Sequence, residues 1–254
     1  MKERIISLKK TARLAGLLYL ILGITGFYGI MYVPMQIIVS GNIADTSGNI
    51  IANEFLFRTG VASHLISVIS FLFLALVLYK LFKQVNSQQA RLLLTLVIVQ
   101  VPIIFILEIC RLTSLEVLKG EVLKSLTPGQ LQDLSWMFIK IHSYGIMIVE
   151  IFWGLWLFPF GLLIYKSGFI PRALGVLLIL AGIGYTADSL TFILFPQYRE
   201  FTKIAAFTFS GLGELSTILW LLIVGAKDHL AITIISETEM KRKPTAEKLK
   251  EPVT

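Results

Sequence analysis

The chain has 254 residues, of which 56% are hydrophobic and 15% are charged, and its mean hydropathy is +0.78. A soluble domain of this size could not cover so much apolar surface with so few charges, so the composition excludes an ordinary soluble protein. The net charge is +7, but the basic residues lie at the ends of apolar segments and in the two tails. The absence of a basic stripe interleaved with aromatic residues excludes a nucleic-acid-binding surface.

Six apolar segments follow one another, and each is long enough to cross the hydrocarbon core of about 30 Å as a helix. They predict an all-α polytopic integral membrane protein, a bundle of six transmembrane helices in one domain at 14–226. The first segment is too long for a cleaved signal peptide and is expected to be a retained span. The charged tail at 227–254 is expected to be largely disordered. The spans are predicted at about 14–39, 59–82, 92–115, 136–165, 173–195 and 204–226.

The distribution of basic residues predicts the orientation. If residues 1–13 form a basic cytoplasmic N-terminus, 16 of the 23 Lys and Arg residues lie on the cytoplasmic side. Cytoplasmic loops carry an excess of such residues, so both the N-terminus and the C-terminus are expected in the cytoplasm.

The loops on the opposite side are longer and contain helix-start signals. Residues 45–58 predict a short surface helix capped by Thr46 or Ser47, with Ile50, Ile51 and Phe55 toward lipid or protein. Thr127-Pro128-Gly129-Gln130 has the form of a capping box, which predicts that the fourth helix begins near Pro128.

Several stretches, taken in order, resemble the bacterial membrane-protein family known as domain of unknown function 4386. The resemblance implies a multi-pass protein of the bacterial plasma (inner) membrane with no established activity, and it supplies no catalytic residues. The matching stretches are Ala12–Tyr19, Ala52–Arg58, Ile141–Gly145, Ile164–Arg172, Gly184–Ser189 and Gly213–Trp220.

Four carboxylates, at Glu108, Glu150, Asp188 and Glu214, interrupt the apolar segments. An ionisable group at such depth costs about 3 kcal/mol or more unless it faces a partner or water, so it marks a candidate functional site. Glu150 and Glu214 are expected near the midplane of the bilayer, on stripes of small residues. The predicted polar cavity comprises these four acids with His64, His142, Arg111 and Lys140.

A structural explanation competes with the functional one. Glu108 and Arg111 are i,i+3 neighbours that can pair, and Asp188 could pair with Lys140. The glycines beside the acids are typical of close helix packing.

Three functional hypotheses remain open at this point. The first is binding or transport of a small ligand or protons through an outward-facing polar cavity. The second is an intramembrane metal-dependent hydrolase in which histidines and acids hold zinc, although no His-Glu-x-x-His pattern is present. The third is a non-catalytic accessory or sensory membrane protein. The lipid bilayer is the one expected partner besides the ligand; the sequence names no cofactor, substrate or oligomeric state.

Overall fold

The computed structural model describes residues 2–226, with side chains from Leu8 onward. The predicted tail at 227–254 lies outside the described residues. Across residues 2–226 the chain is helical, with no strand. The elements are α1 (Lys2–Gly26), a π-helical segment (Phe27–Tyr32), α2 (Val33–Ile37), α3 (Ile43–Ala52), α4 (Glu54–Phe82), α5 (Ser87–Lys119), α6 (Pro128–Ser167), α7 (Arg172–Leu194), a 3-10 turn (Pro196–Tyr198) and α8 (Arg199–Ile223).

Six of these helical segments are long and apolar enough to cross a membrane, which confirms the predicted multi-pass all-α class. Most helices extend beyond the predicted apolar segments, because polar residues at their ends continue the helix outside the hydrophobic stretch. The six segments are Leu8–Ile37, Glu54–Phe82, Ser87–Lys119, Pro128–Ser167, Arg172–Leu194 and Pro196–Ile223.

The helix-start signals have different outcomes in the two loops. Thr127 and Gln130 form the predicted capping box, and α6 begins at Pro128. In the other loop α3 begins earlier than predicted, because the Asn42 side chain accepts the Asp45 backbone N–H at 3.0 Å. The expected caps Thr46 and Ser47 therefore lie inside α3 and are buried.

The long helices form a closed ring in which each packs against its neighbours in the chain and α1 packs against α8. A large apolar core fills the end of the bundle that includes Leu8, Phe82, Phe169 and Ala226. At the other end, α2 and α3 lie across α4, α5 and α6 through a smaller cluster that includes Val33, Ile37 and Ile50. The ring is thus densely apolar at the end that contains the start of α1.

Small residues form the contact between α6 and α7, as the glycine stripes predicted. A Cβ built on Gly161 or on Gly175 would lie 2.5 Å from the carbonyl oxygen of the other glycine. Gly154 and Gly182 approach each other in the same way about two helical turns further along. Only glycine permits the two backbones to come this close.

Candidate functional site

The eight residues predicted from the sequence fall into separate groups. Glu108, His64, His142 and Arg111 form one group, and Glu150 lies near Asp188 in a second. Glu214 has its own partners, and Lys140 lies apart from the acids at an exposed position.

The first group is a buried His–Glu–His centre that joins three helices. Glu108 Oε1 lies 2.5 Å from His64 Nδ1 and 2.9 Å from His142 Nε2. His64 is on α4, Glu108 on α5 and His142 on α6, and all three are at most 8% exposed. These three ligand-type atoms lie within 4.8 Å of one another, an arrangement that could hold a metal ion.

Arg111 lies on the other side of Glu108. Its Nη1 is 3.8 Å from Glu108 Oε2, which is too long for a hydrogen bond, and donates instead to the Gly29 carbonyl at 2.9 Å. Its guanidinium also lies over the Phe57 ring, 5.2 Å from the centroid. Glu108 Oε2 is therefore buried and accepts no hydrogen bond from the residues that the structure describes.

Close backbone approach makes room for this centre. A Cβ on Gly29, in the π-helical segment, would lie 2.6 Å from the Gly60 carbonyl oxygen and 2.9 Å from the His64 backbone nitrogen. A Cβ on Gly60 would lie 2.9 Å from Arg111 Nη2. The widened π turn and the two glycines thus bring the π-helical segment close to α4 at the level of His64, a placement typical of functional sites in helices.

The second group is an acidic pair with one cation. Asp188 accepts a hydrogen bond from the Thr202 hydroxyl at 2.7 Å and lies 3.7 Å from Arg199 Nε. Glu150 is 7% exposed and interacts electrostatically with both Asp188 and Arg199. Asp188 thus pairs with Arg199 rather than Lys140, whose ammonium lies over Trp136 at 4.9 Å.

Glu214 is held by two tyrosine hydroxyls. Tyr19 donates to Oε2 at 2.6 Å and Tyr185 donates to Oε1 at 2.9 Å. Among the side chains that the structure describes, no basic group forms an ion pair with Glu214.

Two cavities flank the His–Glu–His centre. The central cavity, of about 250 Å³, is lined by residues from all six spanning segments and includes both His64 and Glu214. The second, of about 190 Å³, is lined by residues that include His142 and Arg111. Neither Glu150 nor Asp188 lines either of these two cavities.

Sequence reasoning missed four residues that complete these groups: Tyr19, Tyr185, Arg199 and Thr202. Tyr19 and Tyr185 lie in stretches that carry the family resemblance, which was a usable signal. Arg199 and Thr202 lie in the loop-to-helix junction before the last apolar segment, and nothing in the local sequence pairs them with Asp188.

Comparisons with known proteins place the chain in a family without assigning a function. A segment of 93 residues is 40% identical to an uncharacterized protein of the archaeon Archaeoglobus fulgidus, covering 35% of this chain and 54% of that protein. The chain thus spans about half the length of the curated relative it matches. No solved structure matches. The family model described as "Domain of unknown function (DUF4386)" matches residues 14–225, and the chain therefore belongs to this family.

Proposed function

We propose that this multi-pass membrane protein binds a small organic cation, an apolar amine or ammonium ion, in its central cavity. The observation that carries the proposal is a carboxylate, Glu214, at the wall of an aromatic cavity, with no cationic partner among the described side chains. Residence in a bacterial plasma membrane, with the cavity opening outward, remains a prediction, and the relative described above is archaeal.

The size and composition of the cavity suit a small amphiphilic ligand. Its volume of about 250 Å³ lies just under the range of roughly 300–1,000 Å³ that is common for drug-sized ligands. The lining is mainly apolar, with His64, Ser67, Tyr185 and Glu214 as polar members. In a mainly apolar pocket, a small number of polar groups fixes the orientation of the ligand.

The charge of Glu214 selects for a cation. An ionised carboxylate accepts hydrogen bonds at both oxygens, which is what the hydroxyls of Tyr19 and Tyr185 offer. These donors are neutral, so an ionised Glu214 keeps its net negative charge inside the bundle. An ammonium group bound beside Glu214 would neutralise that charge where water is scarce.

Aromatic rings surround the same position. Trp156 packs edge-on against Tyr19 with ring centroids 5.8 Å apart, and Trp153 packs edge-on against Tyr185 at 6.2 Å. Cations are attracted to the faces of such rings, and recognition of ammonium ligands commonly uses them. Phe27 also lines the cavity and is 55% exposed at the outside of the bundle, so a ligand dissolved in the bilayer would meet one wall directly.

Titration with charged and neutral ligands of similar size tests the proposal. We expect phenethylammonium and benzyltrimethylammonium to change the tryptophan fluorescence of the purified protein in nanodiscs, and the neutral 3-phenylpropanol to bind more weakly. Glu214→Gln should weaken ammonium binding by about tenfold to a hundredfold, because a hydrogen bond to a charged group contributes about 1.5–3 kcal/mol. Binding of 3-phenylpropanol should be unchanged.

Glu150→Gln is the matched control, since it removes a buried acid that does not line the cavity. Equal affinity for the charged and neutral ligands, or an unchanged ammonium affinity in Glu214→Gln, would contradict the proposal.

A further inference from the structure

We propose that His64, Glu108 and His142 bind one divalent transition-metal ion of the zinc class. This inference does not depend on the ligand proposed for the central cavity. It places a metal ion at the His–Glu–His centre, which lies between the two cavities.

The donor set is the first argument. Two imidazoles and one carboxylate are a ligand set that zinc proteins use when a fourth position is left for water or another ligand. His64 Nδ1 and His142 Nε2 lie 2.5 and 2.9 Å from the same carboxylate oxygen, Glu108 Oε1. Donors around a tetrahedral zinc ion with bonds of about 2.0–2.1 Å are roughly 3.3 Å apart, so small shifts of the side chains would seat the ion.

The hydrogen bonding of Glu108 is the second and independent argument. Both histidines approach Oε1, whereas Oε2 is buried with no hydrogen-bond partner within the described part of the chain. A purely structural cluster would be expected to satisfy both oxygens, because an unpaired buried acceptor costs free energy. Three ligand-type atoms that converge within 4.8 Å, beside a carboxylate oxygen that lacks a hydrogen bond, are the pattern expected of a metal-binding site.

Access and charge are consistent with an exchangeable fourth position. His64 lines the central cavity, while His142 and Arg111 line the second cavity, so an ion could be reached from either side. A divalent ion, one carboxylate and two neutral imidazoles carry a net charge of +1, and Arg111 adds another positive charge nearby. The fourth ligand would therefore be water or an anion, with Arg111 as a positioning residue for Glu108.

Zinc binding to the full chain tests this site directly. We expect protein purified without chelators to contain about one zinc ion per chain by elemental analysis. After removal of the metal, added Zn²⁺ should raise the thermal unfolding midpoint of the wild-type protein, whereas Mg²⁺ should not, because imidazole ligands favour zinc over hard cations.

Variants locate the ion. His64→Gln, His142→Gln and Glu108→Gln should each lower the zinc affinity at least about tenfold. Glu116→Gln, on the same helix as Glu108 but exposed, and His229→Gln, outside the described residues, are the matched controls and should bind zinc normally. Glu214→Gln should also retain zinc, which separates this test from that of the cation cavity.

Two results would overturn the proposal. One is a wild-type protein with almost no zinc and no zinc-dependent change in its unfolding midpoint, a result that requires no variant to fold. The other is zinc binding that is equal in the wild type and in the His64→Gln and His142→Gln variants.

Discussion

Arg111 is a buried cation beside Glu108, the carboxylate of the His–Glu–His centre. It is 3% exposed, donates to Gly29, and has Glu108 as its nearest carboxylate, at 3.8 Å. Removing one partner of a buried charge pair leaves the other charge uncompensated, whereas removing both restores neutrality. Glu108 and Arg111 should therefore be strongly coupled in stability.

We expect Arg111→Gln to lower the free energy of unfolding of the metal-free protein by about 3 kcal/mol. The double variant with Glu108→Gln should lose clearly less than the sum of the two single variants, since neither charge then remains. Unfolding in mixed detergent micelles measures this coupling.

Arg58→Gln is the control. Arg58 pairs with Glu54 and Glu116, and the three side chains are between 36% and 48% exposed. The substitution should change stability little. Additive effects of the two buried substitutions would argue that Arg111 and Glu108 do not interact.

At the scale of helices, glycine decides how closely α6 and α7 approach. Gly161 and Gly175 face each other so tightly that a Cβ on either would meet backbone, which cannot move without separating the helices. This contact positions Tyr185 and Asp188 on α7 relative to His142 and Glu150 on α6.

Gly161→Ala should lower the free energy of unfolding by about 1–3 kcal/mol, the usual cost of overpacking. Gly211→Ala in α8 is the matched control, since its Cβ would meet nothing within 4 Å. There the better helix propensity of alanine should leave stability unchanged or raise it by up to about 1 kcal/mol. A comparison of thermal unfolding midpoints distinguishes the two, and equal effects would show that close approach of α6 and α7 is not required.

At the scale of the whole molecule, orientation is a prediction that cysteine labelling can test. Cys110 is the one cysteine of the chain and can be replaced by Ala to give a background for single-cysteine variants. Ser125, between α5 and α6, and Gln84, between α4 and α5, are both exposed and lie at opposite ends of the bundle.

With both termini in the cytoplasm, a membrane-impermeant maleimide should label Ser125→Cys in intact cells. Gln84→Cys should be labelled only after the membrane is permeabilised. The opposite pattern would reverse the predicted topology, and with it the side toward which the two cavities lie.

The sequence alone determined the class, the number of spanning helices, the capping box at Thr127 and the acids that interrupt the spans. These features depend on local composition and spacing, which act within one helix. The start of α3 was predicted incorrectly, because the Asn42 side chain accepts the Asp45 backbone N–H and caps the helix ahead of Thr46 and Ser47.

Only the tertiary structure decided which helices share which acid. Glu108 meets His64 and His142, 44 and 34 residues away, and Glu214 meets Tyr19, 195 residues away. Such contacts depend on the closed ring and on the close approach of the π-helical segment to α4 at Gly29 and Gly60, and no periodicity along a single helix encodes them. The sequence therefore identified the buried charges, whereas packing between helices selected the partner of each.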